Sequence, residues 1–194
     1  TGDPDQRLLR VLFSGDLGPG AKAFYRDPEA PENYDYLIVE STYGNRDRPD
    51  LTADQRRVAL HDEVAAALRA GGNLIIPAFA VERTQELLYD LTCLMRDGHL
   101  PAVPIFLDSP LATHATAVFE KHRAALEIPD DGNSPFRAAN IHYVATPSES
   151  AALARITSGA IIMAGSGMCD AGRVRNHLKD NLWRPQATVL LVGY

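Results

Sequence analysis

Two acidic residues in the first quarter of the chain stand where short apolar runs end. Asp16 follows Phe13-Ser14-Gly15, and Glu40 follows Leu37-Ile38-Val39. A carboxylate at a strand end can ligate a metal ion, and an adjacent glycine lets the backbone turn tightly beside it. Taken alone, such a residue more often marks the place where a strand turns or reaches water. Both positions are therefore candidate site residues that need support from the rest of the sequence.

The histidines do not complete a metal site by themselves. A catalytic zinc ion needs about three protein ligands, and neither H-x-H nor H-E-x-x-H spacing occurs here. The histidines on predicted helices are interpreted as surface or flanking residues. We expect no complete metal site from the six histidines, which are His61, His99, His114, His122, His142 and His177.

A glycine-rich tract, Gly165-Ser166-Gly167-Met168, lies between a predicted strand and a predicted helix. Backbone N–H groups in such a turn can cradle an anion, aided by the start of the helix. The tract lacks the Gly-Lys-Ser/Thr of a Walker loop, and the dinucleotide pattern G-x-G-x-x-G fails at Asp170. A tight turn that merely requires glycine is an equally good interpretation, so both stay open.

Three further side chains are candidates for phosphate contacts. Arg173 lies just beyond the glycine tract, where it either reaches a bound phosphate or faces solvent on a helix. Arg83 follows the predicted strand end at 77–80, and Ser109 follows the next one. The Ser109 hydroxyl can bind a phosphate oxygen or cap a helix. Together these positions indicate an extended ligand that carries phosphate.

The elements that would position these residues alternate from Leu51 onward. Strand-like and helix-like tracts with short connections predict an α/β fold: a mostly parallel, Rossmann-like sheet with helices on both faces. Thr52 and Thr146 begin capping boxes that mark two helix starts. Ligands of such sheets bind at the carboxyl ends of the strands, where the glycine, serine and arginine candidates fall. The predicted strands are NLIIPAF, VPIFL, IHYVA, AIIMA and TVLLVG.

The beginning of the chain has a different organisation. The tracts RVLFSGDLG and YDYLIVESTYG are predicted strands that each end in an acidic residue. A connection containing proline and glycine separates them. The composition changes between Arg46 and Asp50, so we predict two units, residues 1–48 and 49–194.

Composition limits the classes of partner and compartment. The net charge is −6, whereas nucleic-acid-binding domains are usually basic overall, so nucleic acid would have to bind at a local patch. The two cysteines lie in apolar or glycine-rich tracts and do not make a disulfide framework, which favours a reducing compartment. No apolar run reaches the length of a membrane span, and the polar first residues predict no signal peptide.

Six tracts, in this order and spacing, together resemble one known family. They are FSGDLG, LIVESTYGNR, LIIPAFAVERTQELLYDL, IFLDSPLA, IIMAGSGMCDAGRVRNHLKDNLW and TVLLVGY. The chain resembles the metallo-β-lactamase-fold nucleases of the β-CASP group, which include the RNase J-type enzymes and the endonuclease subunit of the cleavage and polyadenylation specificity factor. The resemblance covers essentially the whole chain, and ESTYG, PAFAxxRxQELL and GSGMxxxGR are its most specific parts.

The resemblance implies a zinc-dependent RNA-processing nuclease that hydrolyses phosphodiester bonds. It implies that Asp16 bridges two zinc ions, and that Glu40 is a catalytic residue paired with a downstream histidine that protonates the leaving group. Residues 1–48 would be strands of a partial metallo-β-lactamase domain, and residues 49–194 the β-CASP domain that caps the metal site. The candidates for binding RNA phosphate are Gly165, Ser166, Gly167, Met168, Ser109, Arg83 and Arg173.

The other metal-ligand motifs of the family do not occur in these 194 residues. We therefore expect an internal fragment of a longer protein, one that holds no zinc pair and is inactive in isolation. The alternative is a non-catalytic RNA-binding β-CASP module that partners an active relative, although the presence of Asp16 and Glu40 argues mildly for activity. A free-standing nucleotide-binding domain is a third hypothesis. The resemblance also suggests a bacterial cytoplasm and leaves a homodimer open.

Overall fold

The computed structural model describes residues 8–18, 24, 29–47, 51–129 and 132–192. Strands and helices alternate from residue 53 onward, as the sequence predicted. The elements in chain order are β1 (Val11–Phe13), β2 (Tyr36–Ile38), α1 (Ala53–Ala70), β3 (Leu74–Pro77), α2 (Arg83–Arg96), β4 (Ile105–Asp108), α3 (Pro110–Lys121), β5 (Ile141–Tyr143), α4 (Pro147–Ala152), β6 (Ile161–Ala164), α5 (Val174–Asn181) and β7 (Thr188–Val189). Short 3₁₀ turns at Arg123–Ala125 and Leu153–Arg155 follow α3 and α4.

The strands β3 to β7 form one parallel sheet in the spatial order β5-β4-β6-β3-β7. Ile162 of β6 pairs with Ile75 of β3 on one side and with Phe106 of β4 on the other. Because all these strands run the same way, their carboxyl ends lie along one edge of the sheet. β7 is shorter than predicted, since only Thr188 and Val189 pair with β3.

Alternate residues of the strands face two separate hydrophobic clusters. Leu74 and Ile76 belong to a large cluster that includes buried side chains of α1, α2 and α3. Ile75, between them, belongs to a smaller cluster with Leu153 and Val174 on the opposite face. This alternation follows from the two-residue period of a strand. The predicted α/β class, with helices on both faces of a mostly parallel sheet, is confirmed.

The predicted helix starts are confirmed at α1 and α4, where both capping boxes form. α1 ends at Gly71, which adopts the left-handed conformation with φ of 82°. Val58 of α1 does not face the core and is 59% exposed. The packed face of α1 passes through Leu60 and the fully buried Val64. At 3.6 residues per turn, Val58 points about 120° away from Val64.

The strands β1 and β2 pair in parallel as a separate two-stranded sheet. Its apolar side chains remain largely exposed, for example Phe13 at 69% and Ile38 at 53%. The strands themselves were predicted, and their assignment to a metallo-β-lactamase strip stays a prediction. The predicted boundary near Arg46 to Asp50 also stays a prediction, and residues 48–50 lie outside the described residues.

Phe24 connects the first part of the sequence to the core of the second. It is 1% exposed and packs edge-to-face against Tyr89, Phe119 and Phe136, with ring centroids 5.6, 5.9 and 6.3 Å away. Such pairs contribute about 0.5–1.5 kcal/mol each beyond the area they bury. Phe24, from the first 48 residues, therefore belongs to the large hydrophobic cluster beside α2 and α3.

None of the helices in the described part of the chain combines the length and hydropathy needed to span a bilayer. Both cysteines have free thiols, with Cys93 buried and Cys169 partly exposed. Burial raises the pKa of the Cys93 thiol, which keeps it protonated at neutral pH.

Candidate functional site

The carboxyl edge of the larger sheet brings several predicted site residues together. Ser109 and Gly165 each follow neighbouring strands, and a Cβ added to Gly165 would lie 3.4 Å from Ser109 Oγ. A Cβ added to Gly167 would lie 2.9 Å from the ring of Phe79, which follows β3. Ser109 is also the N-cap of α3, where its Oγ accepts a hydrogen bond from Ala112 N at 3.3 Å. We call Phe79, Ser109 and residues 165–168 the rim.

The glycine tract of the rim is a tight turn with internal hydrogen bonds. Ser166 N donates to Ala171 O, Cys169 N to Ser166 O and Met168 N to Ser166 Oγ, each at 3.2 Å. Ser166 Oγ in turn donates to Asp170 at 2.6 Å and, as the largest cause, lowers the pKa of that carboxyl group. The turn therefore carries the negative charge of the Asp170 carboxylate, and most of its backbone N–H groups donate within the turn. This geometry favours the tight-turn interpretation, while phosphate binding stays a prediction.

Gly172 closes this turn, and we expect Gly172→Ala to destabilise the fold by about 2–3 kcal/mol. Its φ is +72°, and a Cβ there would lie closer than 3.0 Å to backbone atoms of Gly165 and Ser166. Gly159 is a matched control because it has the same φ of +72° with nothing within 4 Å of its added Cβ. Gly159→Ala should cost only about 1 kcal/mol in urea denaturation. Equal losses in the two variants would show that the close approach to Gly165 is unimportant.

Asp108, the last residue of β4, is fully buried and is the centre of a polar cluster beside the rim. Its Oδ1 accepts a hydrogen bond from Arg173 Nη1 at 2.7 Å. Its Oδ2 accepts one from Ser150 Oγ at 2.5 Å and lies 2.6 Å from His177 Nε2. Ser150 lies on α4, Arg173 precedes α5 and His177 lies on α5. One carboxylate thus joins β4 to the two helices on the opposite side of the sheet from α1.

The hydrogen bonds determine the charge of this carboxylate. Burial alone would raise the pKa of Asp108, but the bonds from His177, Ser150 and Arg173 outweigh it and hold the pKa below its usual value. Asp108 is therefore ionised at neutral pH and compensates the Arg173 guanidinium, whose side chain is only 21% exposed.

His177 corrects an expectation from the sequence. It is 2% exposed rather than a surface residue, because its ring is satisfied by the buried Asp108 carboxylate. Asp108 and Ser150 were also not identified as site residues. The sequence did contain a signal for Asp108, because it is an acidic residue at the end of an apolar strand. The same signal singled out Asp16 and Glu40.

Both candidate arginines have structural partners. Arg173 donates, besides its bond to Asp108, to the backbone oxygens of Val144 and Ala145 at 3.3 Å each. Arg83 Nη1 donates to Glu86 at 2.8 Å, and its side chain is 40% exposed. Any phosphate would have to share these guanidinium groups with the fold, so their role in RNA binding stays a prediction.

Glu40 and Asp16 lie just beyond the ends of the paired strands β2 and β1. Glu40 Oε2 accepts a hydrogen bond from Thr42 N at 2.9 Å, and Oε1 accepts one from Leu17 N at 3.4 Å. Glu40 N donates to Ser14 Oγ at 2.9 Å. Bonds from Thr42 first, and then from Leu17, lower the pKa of Glu40, which is ionised at neutral pH. The hydrogen bonds of Glu40 therefore hold the loop that contains Asp16 close to the end of β2.

The described residues do not fit a zinc pair by themselves. Asp16 is exposed, and within this part of the chain no group of three or more His, Cys, Asp or Glu side chains is arranged to hold a metal ion. A catalytic zinc ion needs about three protein ligands. Asp16 can therefore contribute one carboxylate to a metal centre but cannot form one without ligands from elsewhere.

Comparisons with known proteins identify the family of this chain. The Beta-Casp domain family model matches residues 84–194. "Ribonuclease TTHA0252" of Thermus thermophilus is 36% identical over 190 residues, which cover 95% of this chain and 43% of that protein. An "RNase J-like protein" of Methanocaldococcus jannaschii is 31% identical over 188 residues, covering 95% of this chain and 43% of the relative. "Transcription termination factor FttA" of Methanosarcina mazei is 29% identical over 195 residues, which cover 96% of this chain and 30% of that factor. The chain spans less than half the length of these relatives.

Proposed function

Because the chain belongs to the Beta-Casp domain family, we propose that it is part of a zinc-dependent RNA-processing nuclease that hydrolyses phosphodiester bonds. In this proposal the α/β unit, residues 49–194, is the cap that binds RNA. Residues 1–48 supply strands of a metallo-β-lactamase domain and part of the active-site edge. The names ribonuclease and RNase J-like, carried by two relatives, support RNA as the substrate.

The observation that carries the proposal is the way Glu40 holds the Asp16 loop. The ionised carboxylate accepts one N–H group from its own loop, that of Thr42, and one from the Asp16 loop, that of Leu17, and so links the two strand ends. Catalysis depends on such pre-organisation, because a misplaced group loses most of its effect. Asp16 would be one metal ligand, and the remaining ligands and the histidine that pairs with Glu40 would come from other parts of the protein.

The rim would orient the RNA backbone without breaking bonds in it. Ser109 and Gly167 both lie at this edge, and the side chains of Arg83 and Arg173 are 40% and 21% exposed. The Asp170 carboxylate, which lies in the turn, would repel a phosphate bound there. We therefore propose weak phosphate contacts spread over the rim, which suits a chain whose net charge is −6.

The proposal is tested by comparing this 194-residue chain with a longer protein that carries it. Labelled single-stranded RNA is used for both binding anisotropy and cleavage assays, with added zinc or with a chelator. The chain alone should bind RNA, more weakly at higher salt, and should not cut it. The longer protein should cut RNA with zinc and lose that activity with the chelator. Binding without cleavage by the longer protein would favour the non-catalytic module, and absence of RNA binding by both would refute the proposal.

A bacterial cytoplasm and a homodimeric assembly belong to the proposal as well. They rest on the family resemblance and not on a contact in the described residues. Analytical ultracentrifugation of the longer protein tests the second, since a dimer doubles the sedimenting mass.

A further inference from the structure

A groove runs along α3, and its lining residues are distinct from those of the rim and of the Asp108 cluster. It has a volume of about 420 Å³, which lies within the range of small-ligand pockets. Thr113, Ala117 and Lys121 of α3 line one side, and Phe136, Arg137 and Tyr143 line the other. From Thr113 to Lys121 the helix rises about 12 Å.

The apolar wall of the groove is held in a fixed position. Phe136 is 1% exposed and anchored in the aromatic cluster of the core. Tyr143 Oη donates to Phe136 O at 2.6 Å, which fixes the plane of the tyrosine ring. Burial, and then the Glu120 carboxylate, raise the pKa of Tyr143 to about 12, so the phenol stays neutral and keeps this hydrogen bond at neutral pH.

The charges along the groove favour an anionic ligand. Glu120 is its acidic residue, and it is already engaged by Ser134 Oγ and by Arg137 Nε at 3.1 Å. Lys121 and Arg137 are the basic residues, and the Arg137 side chain is 74% exposed. The lining therefore has one positive charge in excess, in a chain whose net charge is −6.

One end of the groove lies near the carboxyl edge of the sheet. Thr113 lies in the first turn of α3, and its Oγ1 donates to the carbonyl of Ser109 at 3.0 Å. Tyr143 is the last residue of β5, which pairs with β4 directly before Ser109. A strand of RNA that crosses the rim at Ser109 therefore reaches the groove without leaving this edge of the protein.

We propose that this groove is a nucleobase subsite for single-stranded RNA, an inference that rests on the proposed function. One base lies against the Tyr143 ring, which is 36% exposed, and its flanking phosphates lie beside Lys121 and Arg137. Aromatic walls accept any base, since each base has a flat π-face. The subsite adds affinity and sets the path of the strand, without base-specific recognition.

Filling the groove from its exposed side tests the inference. Ala117 is exposed on α3, so Ala117→Trp places an indole in the groove without removing a core contact. It should weaken RNA binding by about tenfold, the effect of losing one base–aromatic contact. Val118→Trp is the matched control, because Val118 is the adjacent helix residue, is 56% exposed and does not line the groove. It should change the Kd less than about twofold, as expected when no base contact is lost.

A second measurement begins with wild-type protein alone, so its first part does not depend on any variant folding. Binding of wild-type protein to RNA oligonucleotides with a single abasic site at successive positions should show one position where affinity falls by about tenfold. This loss should disappear in Ala117→Trp. Equal RNA affinity of wild type, Ala117→Trp and Val118→Trp, with no sensitive abasic position, would overturn the nucleobase subsite and leave the proposed function intact. Failure of wild type to bind any RNA would overturn the proposed function and the subsite with it.

Discussion

Replacing Glu40 with glutamine in the proposed nuclease is expected to lower RNA cleavage by about 10²- to 10⁴-fold, the usual contribution of a positioned acid–base group. Glutamine has one acceptor oxygen, whereas Glu40 accepts from both Leu17 N and Thr42 N. One of these N–H groups would therefore face an NH₂ donor, and the Asp16 loop would lose a tether. The charge that the proposal pairs with a histidine would also be lost. Cleavage rates at saturating RNA, measured in the longer protein that carries the chain, check the prediction.

Glu149→Gln is the matched control for Glu40→Gln. Glu149 is exposed, whereas Glu40 is partly buried, but Glu149 likewise accepts from two backbone N–H groups, Ala145 N and Thr146 N, both at 2.9 Å. It should keep nearly full activity, because its carboxylate bonds to the start of α4, whereas Glu40 bonds to the loop that contains Asp16. RNA affinity should change little in either variant. If Glu40→Gln cut RNA at the wild-type rate, or if both variants lost activity equally, Glu40 would have no special part in the reaction.

Replacing Asp108 with alanine is expected to destabilise the fold by about 3–5 kcal/mol, the cost of removing one partner from a buried ion pair. Arg173 would lose its compensating charge, and Ser150 and His177 would lose their acceptor. Because the Arg173 side chain is 21% exposed, water can partly solvate it, so a value near the lower limit is expected. The midpoint of urea denaturation, at unchanged slope, measures the loss.

The controls for Asp108→Ala separate charge from volume. Asp108→Asn keeps the shape but removes the charge, so it should fall between wild type and alanine. Asp62→Ala changes an aspartate whose side chain is 71% exposed and should stay within about 0.5 kcal/mol of wild type. If Asp108→Ala lowered the free energy of unfolding by less than about 1 kcal/mol, it would resemble a surface substitution. That result would contradict the central role of this cluster.

The lowered pKa of Asp108 also predicts the direction of a pH effect. A carboxyl group whose pKa is lower in the folded than in the unfolded state stabilises the fold above its unfolded pKa. That contribution is lost as the pH falls from the ordinary value of 3.8 through the depressed folded value. Wild type should therefore lose more stability than Asp108→Ala across this acidic range. Parallel pH–stability curves would show that Asp108 has the same pKa in both states.

Features that depend on residues close in sequence were predictable. The capping boxes at Thr52 and Thr146 each require a partner three residues away, and both form. The apolar runs around Ile75 and Ile162 predicted strands buried on both faces, because only a covered parallel sheet removes such runs from water on both sides. The same local signals placed Asp16, Glu40 and Ser109 at strand ends. Element lengths were less predictable, and β7 proved shorter because pairing partners limit a strand.

The sequence by itself therefore determined the α/β class, the helix caps and the acidic strand ends. Only the tertiary structure decided which of these ends meet. Asp108 binds Ser150, Arg173 and His177, which lie 42, 65 and 69 residues farther along the chain. These contacts follow from the strand order β5-β4-β6-β3-β7. That order results from how whole helices and strands pack together, and no local periodicity of apolar residues specifies it.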